Sequence, residues 1–201
     1  KALDTIYHVE NAIDVNDYTN PLDNKVEGRI IWSSAPDRGL DFIVQNWDKW
    51  KEQRPDLSLV VCLPPYAKDW DKADVSNLKD VEYKGALNPT QLREEQSKAE
   101  YWIYVSNYTE TYCITALEMM ASGVLPICSN QAALQEVVKD GIIIPADQPY
   151  ETMFNMVIET LKVLDTDIKR KTIREAKERV KLFTWDSAAA QWFNFIQYKN
   201  I

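Results

Sequence analysis

The run from Ser106 to Glu136, SNYTETYCITALEMMASGVLPICSNQAALQE, decides how the chain is read: it gives strand end, loop, helix, strand, turn and helix in order, with carboxylates at the joints. Its first helix is predicted from near Thr111 to Gly123, a residue able to take the left-handed conformation of a helix C-terminus. On a helical wheel Ile114, Leu117 and Ala121 form the apolar stripe, and Glu118 falls inside it. A carboxylate on a buried stripe is costly unless it meets donors. Glu118 is therefore expected to be hydrogen-bonded, either within the protein, as an ion pair or helix-end contact, or to a ligand at the sheet edge. Glu110 lies in the loop feeding the helix N-terminus, where unpaired backbone N–H groups attract anions and can hold a diphosphate.

Outward from this run the same alternation repeats. Arg29 to Ser33 is an apolar strand that opens into a polar turn, Ser33-Ser34-Ala35-Pro36-Asp37-Arg38-Gly39. Leu40, Ile43, Trp47 and Trp50 then recur at helical spacing and face the sheet. Leu57 to Cys62 is a second strand, and residues 66–80 read as a loop and short helix interrupted by Trp70. Val81 to Gly85 is a third strand, after which Ala86-Leu87-Asn88 leads into a helix with Pro89 in its first turn. Tyr101 to Val105, Leu125 to Ser129 and Ile142 to Ile144 complete six strands. Near-continuous apolar strands alternating with helices predict an α/β fold, a Rossmann-like doubly wound parallel sheet covered on both faces. From Pro149 onward the chain reads as helical, with Met153, Met156, Val157, Ile158 and Leu161 on one face, a charged helix over Asp165 to Lys181, and a final helix after Phe183-Thr184-Trp185-Asp186. Thr5 to Val9 reads as a leading strand, and the polar run from Asn16 to Glu27 as a linker.

The 201 residues carry a net charge of −8, which disfavours nucleic acid as a partner, because phosphate backbones are bound through clustered Lys and Arg. No apolar run approaches the ~20 residues of a membrane span, so no integral membrane segment is expected and a cytoplasmic location is the default. Cys62, Cys113 and Cys128 show no metal spacing and read as free thiols. The single histidine, His8, reads as a surface or linker residue.

Glu110, Glu118, Met119 or Met120, Ala121, Gly123 and Pro126 hold their places in a segment that resembles the nucleotide-sugar-binding C-terminal domain of retaining GT-B glycosyltransferases, where it commonly reads E-G-F-G, four variable residues, E-A-M-A-x-G-x-P. Three further stretches are similar: Asn11-Ala12-Ile13-Asp14 to the family's N-G-I-D, Glu136-Val137-Val138-Lys139-Asp140-Gly141 to E-V-V-x-D-G, and Phe183-Thr184-Trp185 to F-x-W. The resemblance places residues 1–28 as a leading strand and linker from an N-terminal acceptor lobe, and residues 29–201 as the donor domain. It implies transfer of a sugar from a UDP- or GDP-type nucleotide sugar to a glycan or other acceptor, with retention and without a metal or other cofactor; no Asp-x-Asp metal motif is present.

Residue by residue, the resemblance implies that Glu110 accepts hydrogen bonds from the donor sugar and acts in catalysis, and that Glu118 takes the ribose hydroxyls. Thr111 leads to the N–H groups of Tyr112, Cys113 and Ile114, which would face the diphosphate. Arg38-Gly39 corresponds to the basic residue and glycine before the first helix, though Arg38 on its own reads equally well as a surface arginine paired with Asp37 or Asp41. The resemblance places Ser33 and Ser34 where the family has a Gly-Arg pair, so that hydroxyls or backbone donors would serve instead, and makes Gly85, Ala86 and Leu87 candidate nucleobase contacts. Thr111 and Cys113 replace glycines. A nucleotide-sugar binding module without transferase activity is the alternative, and a nicotinamide-binding domain is disfavoured because no G-x-G-x-x-G follows the first strand.

Overall fold

The structure, a computed structural model, describes residues 7–18, 24–67 and 73–199. Six parallel strands form one sheet: β1 (Arg29–Trp32), β2 (Ser58–Cys62), β3 (Val81–Gly85), β4 (Tyr101–Tyr104), β5 (Leu125–Ser129) and β6 (Ile142–Ile144), in the order β3-β2-β1-β4-β5-β6. Every residue of β4 and β5 is buried. Successive side chains on a strand point to opposite faces, so burial at every position means that helices cover both. β3 has exposed positions, as suits a sheet edge.

The helices are α1 (Leu40–Gln53), α2 (Ala73–Ser76), α3 (Pro89–Lys98), α4 (Ile114–Ala121), α5 (Leu134–Val137), α6 (Tyr150–Val163), α7 (Thr166–Val180) and α8 (Trp185–Lys199). Leu40, Ile43, Trp47 and Trp50 of α1 are all fully buried, as their spacing predicts. α1 packs with α6, and α4 with α7. Pro89 occupies the first turn of α3, and Asn88 with Gln91 closes a reciprocal capping box there. Among the described residues, no helix is long and apolar enough to cross a membrane.

Several sequence expectations shift. Thr5 and Ile6 lie outside the described residues, and Tyr7 to Val9 form no strand; the leading segment instead makes one isolated bridge, Ile13 to Thr184. Trp70 and part of the linker, residues 19–23, also lie outside them. Met156 is only partly buried, Phe154 joining the α6 core face in its stead. α4 begins at Ile114 rather than near Thr111, because Cys113 at its N-cap takes φ 72, which no helical residue adopts. Ile114 is consequently 46% exposed and not part of the core stripe, which Ala116, Leu117, Met119, Met120 and Ala121 supply.

Gly39, at the N-cap of α1, has φ 118, and a Cβ there would sit 2.7 Å from the carbonyl oxygen of Val105. The loop after β1 and the loop after β4 can approach only because this position has no side chain. Gly39→Ala combines backbone strain with overpacking and is expected to destabilise by about 2 kcal/mol or more. Gly85→Ala has the same kind of strain, φ 63, but its Cβ would meet nothing nearer than the Tyr83 ring at 3.7 Å. It should cost about 1 kcal/mol. Urea denaturation of both variants checks the order; equal losses would contradict the close approach.

Candidate functional site

At the C-terminal ends of β1 and β4 the chain turns away in opposite directions, and the two loops enclose a cavity of about 270 Å³. Such a divergence is where open α/β sheets bind ligands. Ser33, Ser34, Arg38, Glu110, Thr111, Tyr112, Cys113 and Ile114 all line it, so eight of the residues singled out from sequence meet in one place. Each loop is held by specific bonds. The Trp32 indole N–H donates to the Ser34 carbonyl (2.8 Å). Ser106 and Ser129 exchange two hydrogen bonds (3.2 and 2.8 Å), tying the loop after β4 to β5, and the Ala133 N–H donates to the Glu110 carbonyl (3.2 Å).

Glu110 is the centre of the site and is only 6% exposed. Its Oε1 accepts from the Tyr104 hydroxyl (2.5 Å) and from Arg38 (2.9 Å), while Oε2 receives no hydrogen bond from the described residues. One oxygen is thus fixed and the other has no partner among the described residues. The Arg38 guanidinium carbon also lies over the Tyr108 ring, 3.6 Å from its centroid. Burial opposes its charge, but the hydrogen bond and charge of Glu110 outweigh this and raise its pKa. The pairing of Arg38 with Asp37 is present only as a long contact, 3.8 Å from Nε, and Glu110 takes the closer one at 2.9 Å. Arg38 Nε and Ser33 Oγ are buried and have no hydrogen-bond partner, two donors without acceptors beside a carboxylate with a free oxygen. Burial first, then the charges of Cys113 and Glu110, push the Tyr104 hydroxyl up, so it remains a donor.

Cys113 takes the left-handed conformation of a glycine while keeping its side chain. This costs about 1–2 kcal/mol, and the helix N-terminus behind it keeps its orientation towards the cavity. Burial and then Glu110 push its thiol up to about 12, which removes it as a nucleophile at neutral pH. At Thr111 the backbone has no positive φ, so nothing there requires glycine.

The remaining sequence candidates lie elsewhere. Gly39 does not line the cavity; it serves the close loop approach behind it. Gly85 ends β3 and Ala86 and Leu87 follow it, at the sheet edge two strands from β1, and none of the three is part of this cavity. Glu118 lies one turn along α4 from Ile114, and its Oε2 accepts from Gln96 (3.3 Å) and its carboxylate from the Tyr18 hydroxyl. The protein-internal hydrogen bonding considered from the sequence is therefore present. His8 is exposed. Sequence reading missed Tyr104 and Tyr108, which hold Glu110 and Arg38. Tyr104 reads as the last core residue of a buried strand, and nothing in the pattern separates a core tyrosine from one whose hydroxyl reaches past the strand end.

The profile of the family described as glycosyl transferases group 1 matches residues 32–179. The chain is 27% identical over 181 residues to an MMP alpha-(1->4)-mannosyltransferase of Mycolicibacterium hassiacum, covering 85% of this chain and 43% of that protein. It spans less than half the length of the curated relatives it matches. Among solved structures, Anabaena HepE in complex with UDP-glucose superposes with a TM-score of 0.71 at 13% identity, over 94% of this chain and 57% of that one. The C-terminal domain of a group 1 glycosyl transferase, LpcC, from Francisella tularensis superposes with 0.65 at 15% identity, over 84% and 96%. At these identities the superpositions establish the fold.

Glu118 generates a prediction with a definite sign. Burial raises its pKa, and the hydrogen bonds from Gln96 and Tyr18 offset this only in part. The native state therefore holds the Glu118 proton more tightly than the unfolded chain does. The resulting stabilisation is full below the ordinary carboxylate pKa and is lost as pH rises through the folded-state value. Glu118→Gln cannot ionise, so its Tm should exceed that of the unchanged protein at pH 7, the difference shrinking to nothing below about pH 4. Thermal melts across this range decide it; a lower Tm at pH 7 would make the carboxylate a structural asset.

Proposed function

Since the chain belongs to the glycosyl transferases group 1 family, we propose that it is the donor-binding lobe of a retaining glycosyltransferase that takes a nucleoside diphosphate sugar without a metal. The observation that carries this reading is Glu110, fixed through one oxygen by Tyr104 and Arg38, with its other oxygen free beside the N-terminus of α4.

In this reading the diphosphate lies against Arg38 and the N–H groups of Tyr112 to Ile114. A guanidinium and a helix N-terminus can both stabilise charge on a departing diphosphate, the guanidinium through charge-assisted hydrogen bonds. Ser33 and Ser34, in place of a second cation, add donors from the β1 side. Glu110 Oε2 accepts a hydroxyl of the donor sugar and fixes its orientation. Glu118 accepts ribose hydroxyls with the lone pairs that Gln96 and Tyr18 leave open, and its desolvated carboxylate gains by meeting them. The nucleobase then extends towards Gly85, Ala86 and Leu87. The UDP-glucose bound by the HepE relative favours a uridine donor. The acceptor is held by a second lobe, which residues 1–28 would join to residues 29–201. Trp192 and Phe193 of α8 are exposed and offer that lobe an apolar face. The alternative is a nucleotide-sugar binding module with no transfer of its own.

Calorimetric titration with UDP, GDP and their sugar conjugates tests the reading. One nucleotide should bind, and Arg38→Ala should weaken it about tenfold or more. Glu110→Gln should leave UDP affinity within a few-fold yet abolish transfer in the complete enzyme. Transfer that survives Glu110→Gln removes its catalytic role, and absence of all nucleotide binding rejects the donor site in this lobe.

A further inference from the structure

A concavity larger than the one at Arg38 lies elsewhere on the described residues. A cavity of about 650 Å³ opens at the opposite end of the sheet, beside the N-terminal ends of β4 and β5, where Glu100 and Gly123 line its floor. α7 forms one wall and Lys25 reaches in from the other. Six cations surround it, Lys25, Lys169, Arg170, Arg174, Lys177 and Lys181, in a chain whose net charge is −8.

Most of this charge is not neutralised from within. Lys169 pairs with Glu100, and Lys181 with Glu178 at 2.6 Å. Among the described residues, no carboxylate lies within ion-pair distance of Lys25, Arg170, Arg174 or Lys177. Lys25 is held in place by neutral groups, donating to the carbonyls of Ser122 (2.8 Å) and Gln96 (3.4 Å). Burial, then the charge of Lys177, bring its pKa down to about 7 although Glu100 opposes them. Burial and then Lys181 likewise lower that of Lys177. Cations gathered against their own repulsion in a partly dry concavity gain most from an anion that supplies several charges in a small volume.

We propose that this cavity is a second anion site, which takes a compact, multiply charged phosphate group. The wall of α7 and the opposing Lys25 enclose such a group from two sides, as a flat surface patch does not. The chemistry is common to a free oligophosphate and to the phosphate of a lipid headgroup, and the two sources can be told apart. The site shares no residue with the cavity at Arg38 and Glu110, and the proposal stands whether or not a nucleotide sugar binds there.

Arg170 and Arg174 are exposed, so the double variant Arg170→Gln/Arg174→Gln should fold normally, which an unchanged thermal melt verifies. Sodium tripolyphosphate is titrated calorimetrically into the unchanged chain, the double variant and Arg38→Ala. Binding is expected in the first, weakened about tenfold or more in the double variant, and retained in Arg38→Ala. In a parallel arm the same proteins are sedimented with phosphatidylcholine vesicles with and without phosphatidic acid. Sedimentation that needs phosphatidic acid and is lost in the double variant assigns the lipid source; tripolyphosphate binding without sedimentation assigns the free one. The proposal is overturned if neither probe binds, or if binding persists in the double variant or vanishes in Arg38→Ala alone.

Discussion

The pairing of β1 with β4 is the constraint on which the remaining structure depends. It joins strands far apart in sequence through the register of Ile30 with Tyr101, reinforced by the Glu100 N–H donating to the Arg29 carbonyl (2.8 Å). On one side of this seam the chain winds outward through β2 and β3, on the other through β5 and β6. The loops leaving β1 and β4 must therefore part, and the gap between them becomes a cavity. Gly39 lets those loops come close enough for Arg38 to reach Glu110. Without that approach the guanidinium would have no buried partner, and the carboxylate would be desolvated alone.

The same sheet separates two regions of opposite electrostatic design. At the C-terminal strand ends a single guanidinium is matched to a single buried carboxylate, and a few donors are left open around them. At the N-terminal ends cations outnumber carboxylates and their charge is left largely uncompensated. α4 runs between the two, with Cys113 and Ile114 at one cavity and the turn after Ala121 at the other, and α7 packs along it. An acidic overall composition thus says little about the local field, because six cations converge on one cavity in a chain whose net charge is −8.

Departure from a motif proves different from departure in geometry. Cys113 stands where glycine is usual in the family, yet its backbone takes the glycine conformation, φ 72. The strain, about 1–2 kcal/mol, is small against the packing of α4, whose Leu117, Met119 and Met120 are fully buried. Packing of the helix thus overrides the preference of one residue. At Thr111 no such conflict arises, since its φ is negative and a side chain is compatible with it.

The sequence by itself determined the strands, their parallel class and most of the site. β3, β5 and β6 have the bounds their sequences predict; in β5 burial on both faces leaves little choice but apolar or small residues, while β3, at the sheet edge, keeps Glu82 and Tyr83 exposed. Glu110, Arg38, Ser33, Ser34 and the residues from Thr111 to Ile114 were legible as candidates because they hold places in a pattern that resembles the family's, in the loops at strand ends. Only the tertiary structure decided what each does to its neighbours. It set the start of α4 through one backbone dihedral, turned Ile114 outward, and gave Tyr104 and Tyr108 their places at the site. It moved Gly39 from ligand contact to loop packing and gathered Lys25 with the cations of α7. Those outcomes depend on distances between segments separated by scores of residues, and local periodicity carries no record of a distance that the packing of the sheet and helices creates.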